Sequence, residues 1–324
     1  MKIGNPTEPS FHSRARRQLL KNATLFAGSL ALPKAALLAE STPELENRRL
    51  SESALLVIGP DANVLVLESD EGLILVDGGH ASWADRLHLA IAESFPGVPS
   101  RALINSHWHP EQTGSNVMLG SQGVEIIAHE NTWLWLGTEV RQKWSGITFP
   151  PLPAAGLPGT VVLDSENIRL ADIDIELHYL WNSHTDGDLA VHFPDQNILM
   201  CGGMVSNGQW PDIDWWTGGY IGGMLDSFLS LLTVPNAETT IIPAYGPVMS
   251  LDELRQQNAM YLTIFERMHA LFNRSYSLED ILAEKPTAEY DALMGDPTRF
   301  LTLAHKSMHG HLRDPQNFRL LNYP

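Results

Sequence analysis

The segment ALINSHWHPEQ, Ala102 to Gln112, decides how the rest of the chain is read. It passes from an apolar run, Ala102–Ile104, into two histidines and an acid. If the apolar run is a strand, the chain leaves it extended, and residues two apart project to the same side. His107, His109 and Glu111 then converge on one point. Neutral imidazole is a preferred zinc ligand, and zinc takes three or four such groups at about 2.0–2.2 Å. A His-x-His pair alone also fits two surface histidines in a loop, so the remainder of the sequence has to choose.

Working outward, strands and helices alternate. Ala54–Gly59, Ala62–Glu68 and Gly72–Val76 are short runs rich in Leu and β-branched residues, parted by Gly, Pro and Asp, which predicts three strands. Asp77-Gly78-Gly79 closes the third. Ser82–Phe95 has helical spacing, with Leu87, Leu89, Ile91 and Ala92 on or near one face. Ala102–Asn105 and Gly123–Ala128 are the next predicted strands, and Pro110 suits the first turn of a helix. Ser41 to Ser53 reads as a polar linker, and Gly137–Gly156 as an irregular loop able to cover a site. Strand patterns return at Thr160–Leu163, Ile168–Leu170, Ile173–Leu180, Leu189–Phe193, Ile198–Met200 and Thr239–Ile242. Helices are predicted at Gly222–Leu232, Leu251–Phe272, Leu278–Leu282, Pro286–Met294 and Pro297–Ser307. Two strand-then-helix halves predict an α/β fold of two packed sheets covered by helices. Residues 41–324 read as one domain with a helical extension from about residue 251.

The formal net charge is −17 over 324 residues. The first forty residues hold six Lys/Arg and two Asp/Glu, so the remainder has 15 basic and 36 acidic groups, a balance of −21. Such a surface repels phosphate backbones, which argues against nucleic-acid binding, and disfavours strongly anionic substrates. Cys201 is the single cysteine. A metal site must therefore be built from His, Asp or Glu. Arg16-Arg17-Gln18-Leu19-Leu20-Lys21, followed by the apolar stretch Ala23–Leu32, resembles a bacterial twin-arginine export signal. Ala15 stands where such signals often carry Ser. The apolar stretch is too short for a membrane span. The expectation is an exported, periplasmic protein, folded and metal-loaded before transport, with residues 1–40 as signal and linker.

A third imidazole, His184, lies in Ser183-His184-Thr185-Asp186-Gly187-Asp188, on a loop between two predicted strands. Taken in order, Asp77-Gly78-Gly79, the His107-x-His109 motif, His184 with its Thr-Asp-Gly-Asp, Cys201-Gly202-Gly203 and Pro243-Ala244-Tyr245-Gly246-Pro247 resemble the metallo-β-lactamase fold superfamily over residues 54–250. The resemblance implies a four-layer αβ/βα sandwich, two mixed β-sheets flanked by helices, with metals at one edge of the sheets. It also implies that His107, His109 and His184 form the family's first metal site. The departures fall on the second site. The family pattern His-x-His-x-Asp-His has Glu111 for its Asp and Gln112 for its last His. Gly203 stands at the place of a metal-binding Asp, and Tyr245 at that of the final His. Loss confined to one site implies a centre with one zinc ion per chain.

In such a centre Glu111 is the candidate general base and acid, one methylene longer than Asp. It also fits an ordinary acid at a helix N-terminus. Gln112 can hydrogen-bond substrate or water. Tyr245 either donates to an oxyanion or fills the vacated second site. Asp77 and Asp188 either orient the ligand loops or cap turns. The expected function is metal-dependent hydrolysis of a small ester, lactone or amide. The alternative is a non-catalytic family member that keeps one metal or none for stability or ligand binding. An iron oxygenase is disfavoured because Gly203 supplies no carboxylate.

Overall fold

The computed structural model describes residues 45–142 and 146–313. The export-signal reading of residues 1–40 lies outside them. Among the described residues no helix is long and apolar enough to cross a membrane.

The strands are β1 (Glu46–Arg49), β2 (Ala54–Ile58), β3 (Asn63–Ser69), β4 (Gly72–Val76), β5 (Ser100–Ile104), β6 (Glu125–His129), β7 (Val140–Gln142), β8 (Ile147–Phe149), β9 (Thr160–Val162), β10 (Glu166–Leu170), β11 (Ile173–Leu180), β12 (Asp188–Phe193), β13 (Ile198–Met200) and β14 (Thr240–Ile242). The helices are α1 (Ala84–Ser94), α2 (Pro110–Thr113), α3 (Asn116–Ser121), α4 (Glu130–Leu136), α5 (Ile221–Leu231), α6 (Leu251–Asn273), α7 (Leu278–Glu284), α8 (Asp291–Met294) and α9 (Thr298–Arg313). One sheet runs β1-β2-β3-β4-β5-β6-β9, antiparallel to β4 and parallel beyond it. The other runs β10-β11-β12-β13-β14, antiparallel except for its last pair. Both are mixed, as the resemblance implied.

Alternation along the strands builds three apolar layers. Leu56, Leu65, Ile74 and Ile104 meet Leu177, Val191, Phe193 and Met200 between the sheets. The opposite face of the first sheet, with Val57, Val66 and Leu75, packs on Leu87 and Ile91 of α1. The opposite face of the second sheet, with Leu180, Ala190 and Leu199, is covered by Phe228 of α5, Tyr261 and Ile264 of α6, and Phe300 of α9. Phe193 is fully buried, and truncating such a ring to Ala costs about 3–5 kcal/mol. α6 starts at a capping box. The Ser250 hydroxyl accepts from Glu253 N, and the Glu253 carboxylate accepts from Ser250 N at 2.7 Å.

Four sequence expectations differ from the structure. The predicted linker contains β1, an exposed edge strand of Glu, Asn and Arg that only its pairing with β2 defines. The predicted loop 137–156 contains the β7–β8 hairpin. α4 went unpredicted, because its Trp-Leu-Trp-Leu run shows no clean apolar face: Trp133 and Leu134 are exposed. The helix expected at Pro286–Met294 starts only at Asp291.

Candidate metal centre

β5 ends at Ile104 and the chain bends through residues 106–109 instead of running on extended, so it is this bent loop and not a strand continuation that carries His107 and His109. His109 is the residue before α2, with Pro110 at its first position. The Asp-Gly-Gly loop after β4 clamps this helix: Gly78 N donates to Gln112 O at 2.6 Å, and Gly114 N donates to Gly79 O at 2.8 Å. His184 comes from the connection between β11 and β12. The structure brings His107, His109 and His184 together, one ring nitrogen of each lying within 4.8 Å of the others. Their ring centroids are 4.6–4.9 Å apart.

Each imidazole is fixed through its outward nitrogen. Asp77 is fully buried and accepts from Ser106 N at 2.7 Å and from Ser106 Oγ at 2.8 Å. The Ser106 hydroxyl proton is thereby committed, so at 3.0 Å its oxygen accepts from His107 Nδ1. His107 Nε2 is left buried without a partner. His184 donates from Nδ1 to Asp212 O at 2.7 Å. His109 donates from Nε2 to Asp214 Oδ2 at 3.1 Å. Asp214 also accepts from Thr217 Oγ1 at 2.7 Å, and Thr217 accepts from Trp108 Nε1 at 3.0 Å. These bonds set the tautomers and leave three lone pairs, on His107 Nε2, His109 Nδ1 and His184 Nε2, facing inward. His109 Nδ1 and His184 Nε2 are 3.0 Å apart. Two acceptors cannot sit so close without a proton or a cation between them.

The electrostatics favour the neutral ring at two of the three positions. Burial pushes the His107 and His184 pKa values down, His184 to about 4, so both are neutral ligands at pH 7. Burial opposes the charged form of His109 as well. Asp214, with Glu111 and Asp212, outweighs it and holds His109 above its ordinary value. Burial likewise pushes the Asp214 carboxyl up, but the hydrogen bond and charge of His109 keep it below the usual range. Burial raises Asp77 and Asp188 to about 7 each.

Glu111 faces the same space as His109 and His184. It lines a cleft of about 300 Å³ with Asp61, His109, His184, Trp210, Asp212 and Tyr245. Burial holds the Tyr245 phenol well above its ordinary pKa, so it is a proton donor. Gln112 is fully buried and does not line this cleft, so it reaches substrate only through a neighbour. Its amide lies against the Tyr245 phenol, without a hydrogen bond of good geometry. Asp188 does not touch an imidazole side chain. Its carboxylate accepts from Thr185 N at 2.7 Å and Thr185 Oγ1 at 2.8 Å, closing the turn that presents His184.

Gly203 is a matter of space. A Cβ there would lie 2.3 Å from His184 Cδ2 and 2.9 Å from His107 Cε1. The rings as placed leave no room for a side chain, so the missing carboxylate and the ring positions are one arrangement.

Sequence reading did not find Asp61, Asp212, Asp214 or Arg299. Arg299, on α9, grips both oxygens of Asp212, whose carbonyl holds His184. Trp210 donates to Gly295 O and stacks on Phe300 at 4.8 Å. The C-terminal helices therefore shape one wall of the cleft.

Comparison with known proteins identifies the family. The family model described as the metallo-beta-lactamase superfamily matches residues 58–246. The 2,4-dinitroanisole O-demethylase subunit alpha of Nocardioides sp. (strain JS1661) is 27% identical over 158 residues, 47% of this chain and 44% of that protein. This chain thus spans less than half the length of that relative. The metallo-beta-lactamase type 2 of Bacillus cereus is 25% identical over 190 residues, 58% of this chain and 68% of that one. Among solved structures, the sec-alkylsulfatase Pisa1 from Pseudomonas sp. superposes with a TM-score of 0.61 at 16% identity, over 86% of this chain and 52% of that one. A metallo-beta-lactamase from Pontibacter korlensis gives 0.54 at 17% identity, over 68% and 99%. The two structural likenesses show the fold alone. With the match covering more than half its length, this chain belongs to the metallo-β-lactamase superfamily.

Proposed function

We propose that the chain is an exported, mononuclear zinc-dependent hydrolase of a small ester, lactone or amide. The observation that carries the reading is the convergence of three imidazoles, each fixed through its outer nitrogen, beside a cleft that also holds Glu111. His107, His109 and His184 would hold the ion. When bound, zinc supplies Lewis acidity, lowering the pKa of water to about 7 and polarising a substrate oxygen. Glu111 takes the proton of the attacking water and returns it to the leaving group. Tyr245 donates to the developing oxyanion, with Gln112 packed against it. Asp61 and Glu111 line the cleft as carboxylates while Asp212 is paired with Arg299, so the first two would offset the charge of the ion, which suits a neutral substrate. Glu111 also sits in the first turn of α2, where an acid suits the helix N-terminus, so the Glu111→Gln variant is what separates this reading from a non-catalytic one.

The test is metal identity and stoichiometry in protein purified without added zinc, followed by turnover on a panel of esters, lactones and β-lactams. About one tightly held zinc is expected, lost together with activity in His184→Ala. Glu111→Gln should keep its zinc and lose turnover by about 10²- to 10⁴-fold. A chain without metal, or undiminished turnover in Glu111→Gln, would end this reading.

A further inference from the structure

The face of the second sheet turned away from the inter-sheet core carries another set of metal-binding side chains. Alternation along β11 sends Ile173, Ile175 and Leu177 between the sheets and turns Asp174, Glu176 and His178 to the other side. On β12 it sends Leu189, Val191 and Phe193 inward and turns His192 out beside them. The register sets Glu176 directly opposite His192, and His178 opposite Ala190, whose methyl leaves room for the neighbouring ring.

Glu176 Oε2 is the shared point. His192 Nδ1 lies 2.8 Å from it and His178 Nε2 lies 3.4 Å from it. One ligand atom of each residue lies within 4.8 Å of the other two. A plain strand-to-strand ion pair would need only Glu176 and His192. The third member is what such a pair does not explain: His178 Nε2 is shut off from solvent and makes no hydrogen bond of good geometry. Burial holds His178 below its ordinary pKa, and the hydrogen bond from His192 holds Glu176 below the usual carboxylate range. The donors are thus two imidazoles and an ionised carboxylate. Glu176 also borders an open depression of about 390 Å³ with Asn167, Arg169, Asp174 and Asp195, which neither histidine lines, so water reaches the cluster from the carboxylate side.

We propose that Glu176, His178 and His192 form a second divalent transition-metal site, suited to zinc, that ties β11 to β12. Two imidazoles and one carboxylate are an ordinary donor set for such an ion, and they leave positions for water. The site lies on the hairpin whose connection presents His184. Glu176 is four residues before the strand end at Leu180, or about 13 Å along it. The three residues belong to none of the motifs that carry the family resemblance, and the inference does not depend on the reaction proposed above. The site is expected to fill when free zinc is in excess, beyond the equivalent retained through purification.

The experiment is equilibrium dialysis of the full chain against excess zinc, with elemental analysis and circular dichroism on each variant. The native sequence should take up two equivalents. His178→Gln combined with His192→Gln should keep one, and His184→Ala should lose only the other. If the double variant fails to fold, Glu176→Gln, which keeps the side-chain shape, should weaken the second equivalent by about tenfold or more. Zinc uptake unchanged by either outer-face change would overturn the proposal, whereas one equivalent in the native sequence that survives His184→Ala and is lost in the double variant would support it and count against the three-histidine centre instead.

Discussion

At the residue scale, the centre is defined as much by what is missing as by what is present. Gly203 is not among the glycines with positive φ, so its constraint is the close approach of two rings. Gly203→Ala should displace His184 and His107, destabilise the fold by about 1–3 kcal/mol through overpacking, and weaken zinc binding by tenfold or more. Thermal unfolding and zinc dialysis read the two effects separately, and a variant with native metal affinity would refute the steric argument. The three histidines could be read from the sequence because each sits in a short motif of fixed spacing. Asp214 could not, since it meets His109 across 105 residues of chain. The hydrogen bond that fixes the His109 tautomer therefore exists only after folding. Asp77 shows the intermediate case. Its motif was visible, but its action through Ser106 on His107 was not.

At the scale of elements, α4 rests on an unusual cap. His129 ends β6 and precedes the helix, and its Nδ1 accepts from Asn131 N at 3.2 Å. Its Nε2 donates to Leu163 O at 3.3 Å, and its ring stacks on Tyr179 at 4.0 Å. The bond from Asn131 requires the neutral ring, since a protonated Nδ1 cannot accept, whereas the bond to Leu163 forms in either state. Burial lowers its pKa from 6.5 to about 4. The unfolded chain then binds the proton more readily, so this contribution is complete above pH 6.5 and is lost as pH falls toward 4. The loss is on the order of 3 kcal/mol. Other buried histidines share that window, so the quantity to measure is the difference between the native sequence and His129→Gln. The difference in unfolding free energy should shrink from pH 7 to pH 4, and a constant difference would remove His129 from the account. Strands with clear alternation, such as Ile173–Leu180, were legible in the sequence. β1 and α4 were not, because their patterns carry no periodic apolar face and tertiary pairing alone selects them.

At the scale of the whole molecule, the proposed ion would link metal binding to folding. Zinc that binds only the folded state stabilises it by about 2.7 kcal/mol when free zinc is one hundred times Kd. Chelation should therefore lower Tm by about 5–8 °C, and the shift should vanish in His184→Ala. Equal melting with and without chelator would contradict a bound ion. The export proposal is tested on the intact chain: replacing Arg16 and Arg17 by Lys should hold the protein in the cytoplasm of a bacterial host, read by fractionation. Continued export would exclude the twin-arginine route.

The sequence by itself determined the layered architecture, through strand alternation and helical spacing. It also picked out the three histidines that converge, through short motifs of fixed spacing. The tertiary structure alone decided the acidic lining of the cleft, the tautomer of each imidazole, the support that Arg299 gives His184 through Asp212, and the meeting of Glu176, His178 and His192 on one sheet face. The reason is the range of the interactions. Periodicity and motif spacing are properties of the local backbone, whereas these contacts join positions far apart in the chain or depend on strand register, which is fixed only when both strands have found the same core.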